Sequence, residues 1–303
     1  DFANDREQFN RSISKFGMLQ KKFADMVIRA WEADTIVYMT AGSIDKFLSN
    51  VPHDEKYFDV LQKSIEDHAI EASIAKIIGS EALWKNVDDG VQILGGAGYI
   101  EEYGFAVLYR DERINRIFEG TNEINRLIIG GYTLKKSILE ELPIRNMINQ
   151  CKTTSWVNRV EMDNVELQES CNIVEFSRSA VLFTLDELIL KYGQDLKNEQ
   201  WLLEPFADLV ISFSIIDTCF KRYLSLNEDD HKTKTGRVFK LSLANHYFNS
   251  LDKAQIILEY INDSEMIEKI NTEKSSLNYK PNRIKYKQDI VNDLYKHKKY
   301  YLD

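Results

Sequence analysis

The stretch FGMLQKKFADMVIRAWEADTIVYMTAGSIDKF runs from Phe16 to Phe47. Apolar side chains recur in it at Phe16, Leu19, Phe23, Met26, Val27, Ala30, Ala33, Val37, Ala41, Ile44 and Phe47. The steps are one, three and four, the period of a helix that buries a single stripe. No proline interrupts it. The reading is a helix of about 35 residues, a rod of roughly 50 Å, with Ser14 as its cap. A helix of that length needs long partners, so the fold class is expected to be all-α.

Reading outward supports this. NVPHD at 50–54 breaks the first helix. A second is expected from about Glu55 to Leu94, with Ala69, Ala72, Ala75 and Ala82 giving a face that lets a neighbour come close. GVQILGGAGYIEEYG then holds five of the thirteen glycines, Gly90, Gly95, Gly96, Gly98 and Gly104. Such clustering points to a purposeful irregularity of the backbone. FAVLYRDERINRIF reads as one or two short helical turns. Thr121 opens another helix as N-cap, continuing to about Leu134, with Gly130 and Gly131 weakening its later part. The extended breaks within 1–134 are expected near 50–55 and 95–104 only.

After Lys136 the texture changes. Residues 135–163, with Pro143, read as a linker carrying a short helix. Long helices follow at about 164–192, 197–226 and 234–262, and a basic one at about 282–300. Pro205 either kinks the second of these or marks a later start. Leu203, Phe206, Val210 and Phe213 should face Phe183, Leu185 and Leu190, or Leu241, Tyr247 and Ile256. The domain reading is therefore 1–134, a linker over 135–163, and an appended antiparallel helical bundle over 164–303.

Composition bounds the chemistry. A net charge of −9 over 303 residues argues against nucleic acid, whose binders carry a basic footprint. Cys151, Cys171 and Cys219 are widely spaced and odd in number, so neither a disulfide framework nor a zinc site is expected. A reducing compartment follows, a bacterial cytoplasm ahead of a mitochondrial matrix. His53, His68, His231, His246 and His297 have no ligand spacing, and no metal is expected. Trp31, Trp84, Trp156 and Trp201 read as packing residues. There is no run of about 18 apolar residues to span a membrane. Residues 280–303 hold seven Lys or Arg against three Asp. That tail could touch an acidic membrane surface, although pairing with acidic neighbours is the preferred reading. The chain opens abruptly at Asp1 on the approach to a helix, and it is expected to be a piece of something longer.

Glu119 lies in RIFEGTNEIN (Arg116–Asn125), beside Ile117 and Phe118. A carboxylate there is either solvated or held dry, and a dry one titrates higher and becomes a base usable near neutral pH. The pattern alone favours an ordinary solvated Glu before a cap.

Five motifs in register change that balance. RxQF at Arg6–Phe9, FGxxQxxxADM at Phe16–Met26, QxxGGxGY at Gln92–Tyr99, YRDxRI at Tyr109–Ile114 and FEGTNEI at Phe118–Ile124 resemble the acyl-CoA dehydrogenases. The resemblance covers about residues 1–134. The Phe16–Gly17 pair and the extension past Lys136 resemble the very-long-chain branch. The resemblance implies an FAD enzyme that removes a proton α to a thioester while a hydride leaves the β carbon, as in fatty acid β-oxidation. Glu119 would be the catalytic base, and Gly120 would lie beside the acyl-CoA substrate. Gln92, Gly95 and Gly96 would meet the adenine and pyrophosphate of FAD, though a helix C-terminus also favours Gly. Arg6, Gln8 and Phe9 would reach a flavin across a dimer interface, and Thr121 and Glu123 would lie near the flavin. An electron-transfer flavoprotein and a homodimer are the implied partners. Two departures stand out: Asn10 replaces a common Gly, and Val107 replaces a common basic residue four positions before Asp111. A non-catalytic helical scaffold of the same fold, or an oxygen-using flavoprotein oxidase, are the alternatives.

Overall fold

The computed structural model describes residues 1–49, 51, 57–141, 144–227 and 230–302. The break read at 50–54 and the start of the second helix fall largely outside these residues, as does Pro143. The described chain is all-α apart from one small hairpin. A short helix α1 (Phe2–Asp5) leads into strands β1 (Glu7–Gln8) and β2 (Arg11–Ser12), which pair antiparallel, Glu7 with Ser12 and Gln8 with Arg11. The sequence reading missed this hairpin, and the reason lies in its turn. Phe9 and Asn10 both have positive φ, 54° and 60°, as the tight two-residue turn of a twisted hairpin requires. Asn tolerates that conformation better than most residues, so Asn10 can hold the second position of the turn.

The long stripe helix is α2 (Gly17–Leu48). Ser14 does not cap it. Ser14 sits in a 3₁₀ turn (Ile13–Lys15) capped by Ser12, and Phe16 occupies the N-cap of α2 without a side-chain bond. The expected second helix is two, α3 (Tyr57–Asp67) and α4 (Ala69–Leu94), separated at His68. There follow α5 (Gly96–Tyr99), α6 (Phe105–Glu112) and α7 (Asn122–Ile138). Residues 144–302 supply α8 (Ile144–Thr153), α9 (Val165–Tyr192), α10 (Gln200–Ser225), α11 (Asp230–Ile261), α12 (Ser264–Leu277) and α13 (Arg283–His297). Pro205 is inside α10, near its start. The helix α12 was not expected. It packs on α9 and α11, while α13 packs on α11 and α2.

One buried cluster runs through both halves. Trp31, Ile74 and Ile129 belong to it together with Phe176, Phe206, Ile216 and Tyr247. Fully burying side chains of this kind is worth about 1.5–3 kcal/mol each. Gly130 explains itself here: a Cβ at that position would come within 3.1 Å of Leu203 Cδ2, so the glycine lets α7 and α10 approach. The facing residues expected for Leu203, Phe206 and Val210 are buried at Phe183, Leu185, Leu241 and Tyr247. Leu190 and Ile256 are instead exposed, and so is Trp201, at 86%. Trp31 and Trp156 are buried as read. The three cysteines are free and buried. In the basic tail, Lys285 pairs with Asp289 and Lys287 with Asp25 of α2.

A polar knot fixes α2 against α4. Arg29 donates to Asn86 Oδ1 (2.8 Å) and to Asp89 Oδ2 (2.7 Å), and Lys22 also pairs with Asp89. Burial works to raise the Asp89 carboxyl, but the bonds and charges of Lys22 and Arg29 outweigh it and hold the group below its ordinary range. Asp89→Asn should therefore lower stability in urea melts at neutral pH by about 1.5–3 kcal/mol. A depressed carboxyl stabilises the fold above its unfolded value and ceases to as pH falls through its folded one. The cost of the substitution should shrink below pH of about 3.9. A cost independent of pH would show that the charge is not what stabilises.

Candidate functional site

The chain leaves α6 through a 3₁₀ turn (Arg113–Arg116) and reaches Glu119 in a left-handed conformation, φ 54°, followed by Gly120 at φ 79°. Two successive residues of positive φ turn the backbone sharply, and only glycine takes that conformation without cost. Thr121 then caps α7, its Oγ1 accepting from the Ile124 N–H at 3.2 Å. Ile117, Phe118 and Glu119 are all exposed in this chain. Any drying of the Glu119 carboxylate must come from what lies against this face.

The turn is held from behind. Asn125 Nδ2 donates to the carbonyls of Gly120 (2.9 Å) and Thr121 (3.1 Å). Lys76 Nζ, from α4, donates to the Gly120 carbonyl (2.7 Å) and to Asn122 Oδ1 (2.7 Å). Asn122 is buried and also bonds Ser80. One turn on from Asn122, Arg126 bridges Glu81 (3.0 Å) and Asp208 of α10 (2.7 Å). Sequence reasoning passed over Lys76, Ser80, Asn122, Asn125 and Arg126. Asn122 and Asn125 beside the turn were the available signal: buried amides on a helix need partners.

Glu123 shares the cap with Thr121. Its carboxyl lies below the ordinary range because it accepts its own backbone N–H and the Thr121 hydroxyl, against a smaller effect of burial and with help from Arg126 and Arg116. The Thr121–Glu123 pair is thus satisfied within the chain. In YRDxRI, Glu112 is 4% exposed, and neither of its carboxylate oxygens makes a hydrogen bond. Burial pushes this carboxyl up, against the charges of Arg116 and Arg113. Both guanidiniums lie over the Trp84 ring, at 5.3 and 6.0 Å.

The glycine cluster divides by geometry. A Cβ at Gly90 would meet the Phe105 ring at 2.5 Å, and one at Gly98 the Val91 carbonyl at 2.6 Å. Those two serve packing. Gly95 ends α4 at φ 60°, ψ −134°, and neither it nor Gly96 has an atom within 4 Å of where a Cβ would stand. This rim is open, and Gln92 on it is exposed. Arg6, Gln8 and Phe9 are exposed on the hairpin. A cavity of about 340 Å³, lined by Phe2, Phe23, Ile93, Leu94 and Phe105 among others, lies between α1 and the end of α4. The rim group thus lies at the C-terminal end of α4, and Lys76 lies about two turns in from its start. Sixteen helical residues separate Lys76 from Gln92, roughly 24 Å along the axis. The expected site residues form two groups rather than one cluster. Among the described residues no group of three His, Cys, Asp or Glu is placed to hold a metal ion.

The described chain is thus an all-α unit with a left-handed Glu-Gly turn just ahead of one helix and an open glycine rim ending another. Residues 1–132 match the model of the acyl-CoA dehydrogenase C-terminal domain, and over that span the chain belongs to the acyl-CoA dehydrogenase family. A Bacillus subtilis protein described as a probable acyl-CoA dehydrogenase is 37% identical over 223 residues, 73% of this chain and 38% of that protein. The human mitochondrial very long-chain specific acyl-CoA dehydrogenase is 28% identical over 252 residues, 77% of this chain and 36% of the enzyme. Both alignments exceed the 132 residues of the family domain. The chain thus spans well under half the length of these relatives. The crystal structure of a Bacillus anthracis acyl-CoA dehydrogenase complexed with FAD superimposes with a TM-score of 0.90 at 29% identity, covering 99% of this chain and 52% of that one. The acyl-CoA oxidase-1 of Caenorhabditis elegans shares the fold at a TM-score of 0.66 and 11% identity, over 95% of this chain and 43% of that one.

Proposed function

We propose that this chain is the C-terminal part of an FAD-dependent acyl-CoA dehydrogenase that introduces the α,β double bond of a fatty acyl-CoA in β-oxidation. The observation that carries the reading is the left-handed Glu119–Gly120 turn. It puts a carboxylate and the N–H groups of a sharp bend on an exposed face, with the backbone anchored behind. When bound, FAD supplies the acceptor for the hydride that leaves the β carbon. Glu119 takes the α proton onto its carboxylate, and its own backbone N–H donates to the thioester oxygen as charge develops there. Gly120, where a Cβ would come within 3.2 Å of Asn125 Nδ2, lets the chain turn sharply beside the ligand. Gln92, Gly95 and Gly96 present an open backbone edge on which phosphate oxygens can be approached closely. Arg6 offers an exposed guanidinium, suited to a pyrophosphate. Gln8 and Phe9 beside it reach the flavin of a second subunit, so the enzyme works as a homodimer. Thr121 and Glu123 border the flavin while serving the cap.

Residues 1–134 form the unit that carries base and flavin contacts, and 164–303 form an appended stabilising bundle after the linker 135–163. Electrons pass to an electron-transfer flavoprotein in a bacterial cytoplasm. An oxidase that hands electrons to oxygen is the second reading, favoured by the shared fold with acyl-CoA oxidases. The test is the visible spectrum of the complete enzyme, followed by anaerobic addition of acyl-CoA. A yellow protein that bleaches, and recolours with an electron-transfer flavoprotein faster than with air, is expected. Rapid recolouring in air alone would favour the oxidase, and a colourless protein a scaffold.

A further inference from the structure

Lys76 stands where nothing in the sequence motifs pointed. The turn it touches holds two successive left-handed residues, Glu119 and Gly120. For a glutamate that conformation is unfavourable and persists only where the surroundings over-determine it. The side chains of Phe118 and Glu119 do not supply this, since both are exposed. What pins the turn is the Gly120 carbonyl. It accepts from Asn125 Nδ2 at 2.9 Å and from Lys76 Nζ at 2.7 Å, so both of its lone pairs are engaged. The second donor is a cation, and charge-assisted bonds are the stronger kind. The same ammonium reaches Asn122 Oδ1 at 2.7 Å, and Ser80 closes the arrangement with Asn122 at 3.1 Å. The helix that carries Lys76 is fixed on either side of it by the buried Ile74 and Ile77. Lys76 is half-buried, and burial lowers its pKa, with Glu123 and Glu81 opposing.

We propose that Lys76 is a positioning residue for the base: its ammonium fixes the 120–121 peptide and thereby aims Glu119 at the substrate's α carbon. This rests on the reading of Glu119 as the base. The experiment uses the complete, flavin-loaded enzyme with Lys76→Met, Lys76→Gln and Lys76→Arg. Small misplacement of a reacting group is costly, so Lys76→Met should lower kcat roughly 10- to 100-fold while KM changes less than about three-fold. Flavin content should be unchanged, and Lys76→Arg should restore most of the rate. Hydrogen exchange of the 117–123 backbone should rise in Lys76→Met and return in Lys76→Arg, with the rest of the protein unaltered. Should Lys76→Met fail to retain flavin, Lys76→Gln, which keeps a donor without the charge, is read in the same way. Unchanged exchange in 117–123 would overturn the proposal. So would a loss of rate accompanied by faster exchange throughout the protein. The exchange readout does not depend on chemistry. If Glu119→Gln remains active while Lys76→Met still loosens the turn, the base assignment fails and the anchoring role stands.

Discussion

Glu119→Gln in the complete, flavin-loaded enzyme should abolish most turnover, by roughly 10²–10⁴-fold, the usual contribution of a positioned general base. Gln fills the same volume and meets the same left-handed backbone cost at φ 54°, so fold and flavin content should not change. The side chain is exposed, with no hydrogen-bond partner among the described residues. Its loss should therefore leave the chain's own stability intact, which separates a chemical role from a structural one. What changes is the ability to accept a proton. Acyl-CoA binding, followed by its perturbation of the flavin spectrum, should persist while bleaching stops. Activity within a few-fold of wild type would remove Glu119 from the mechanism and with it the reading of the whole turn.

How much of this was legible in the sequence depends on which physical signal each feature leaves. The stripe from Phe16 to Phe47 gave a helix found at Gly17–Leu48, because burial on one face writes a period of three to four into the residues. The hairpin at 7–12 left no such trace: its strands are two residues each, too short to alternate, and its turn is made by Phe9, a residue not expected at positive φ. The break at His68 was hidden because Ala69, Ala72 and Ala75 continue the small-residue face on its far side. Thr121 was readable as a cap because its oxygen has one obvious local donor. Lys76 was not. Its partners are 44 and 46 residues away, and a lysine on a helix looks the same whether its ammonium meets water or a carbonyl. The exposed Trp201, Leu190 and Ile256 mark the opposite limit. Apolar identity fixes neither the direction of a side chain nor the presence of a neighbour, and much of any folded surface is apolar. The motif match located the glycine rim, yet only the backbone separates Gly95 and Gly96, which are open, from Gly90 and Gly98, which are filled.

Cutting the complete enzyme after Lys136 should yield aggregation or a changed oligomer rather than a smaller working dimer. The physical reason is what crosses that boundary. Arg222 lies over the Trp31 ring at 5.2 Å and donates to Thr35 Oγ1 at 2.7 Å. Buried Glu32 accepts from Ser242 Oγ at 2.6 Å and lies 3.1 Å from His246 Nε2. Arg126 keeps Glu81 but loses Asp208, and Asp25 loses Lys287. Most of these charges are half-buried; hydrogen bonds to charged groups contribute about 1.5–3 kcal/mol each, and several lost together rival the whole stability of an ordinary domain, about 5–15 kcal/mol. The cut also uncovers Trp31, Ile129 and the Gly130 face that Leu203 covers. Water would then meet a face built to be dry, and large exposed apolar patches lead to association. Size-exclusion chromatography with flavin absorbance reads the outcome. A single substitution at the same junction perturbs it more mildly. Gly130→Val sets a branched side chain against Leu203, where even a Cβ would stand 3.1 Å from Cδ2. Overpacking of this kind costs about 1–3 kcal/mol, so the variant should melt earlier while retaining flavin and the rate carried by Glu119. A truncated protein that elutes as a dimer with normal flavin and activity would show that residues 137–303 neither complete the core nor set the assembly.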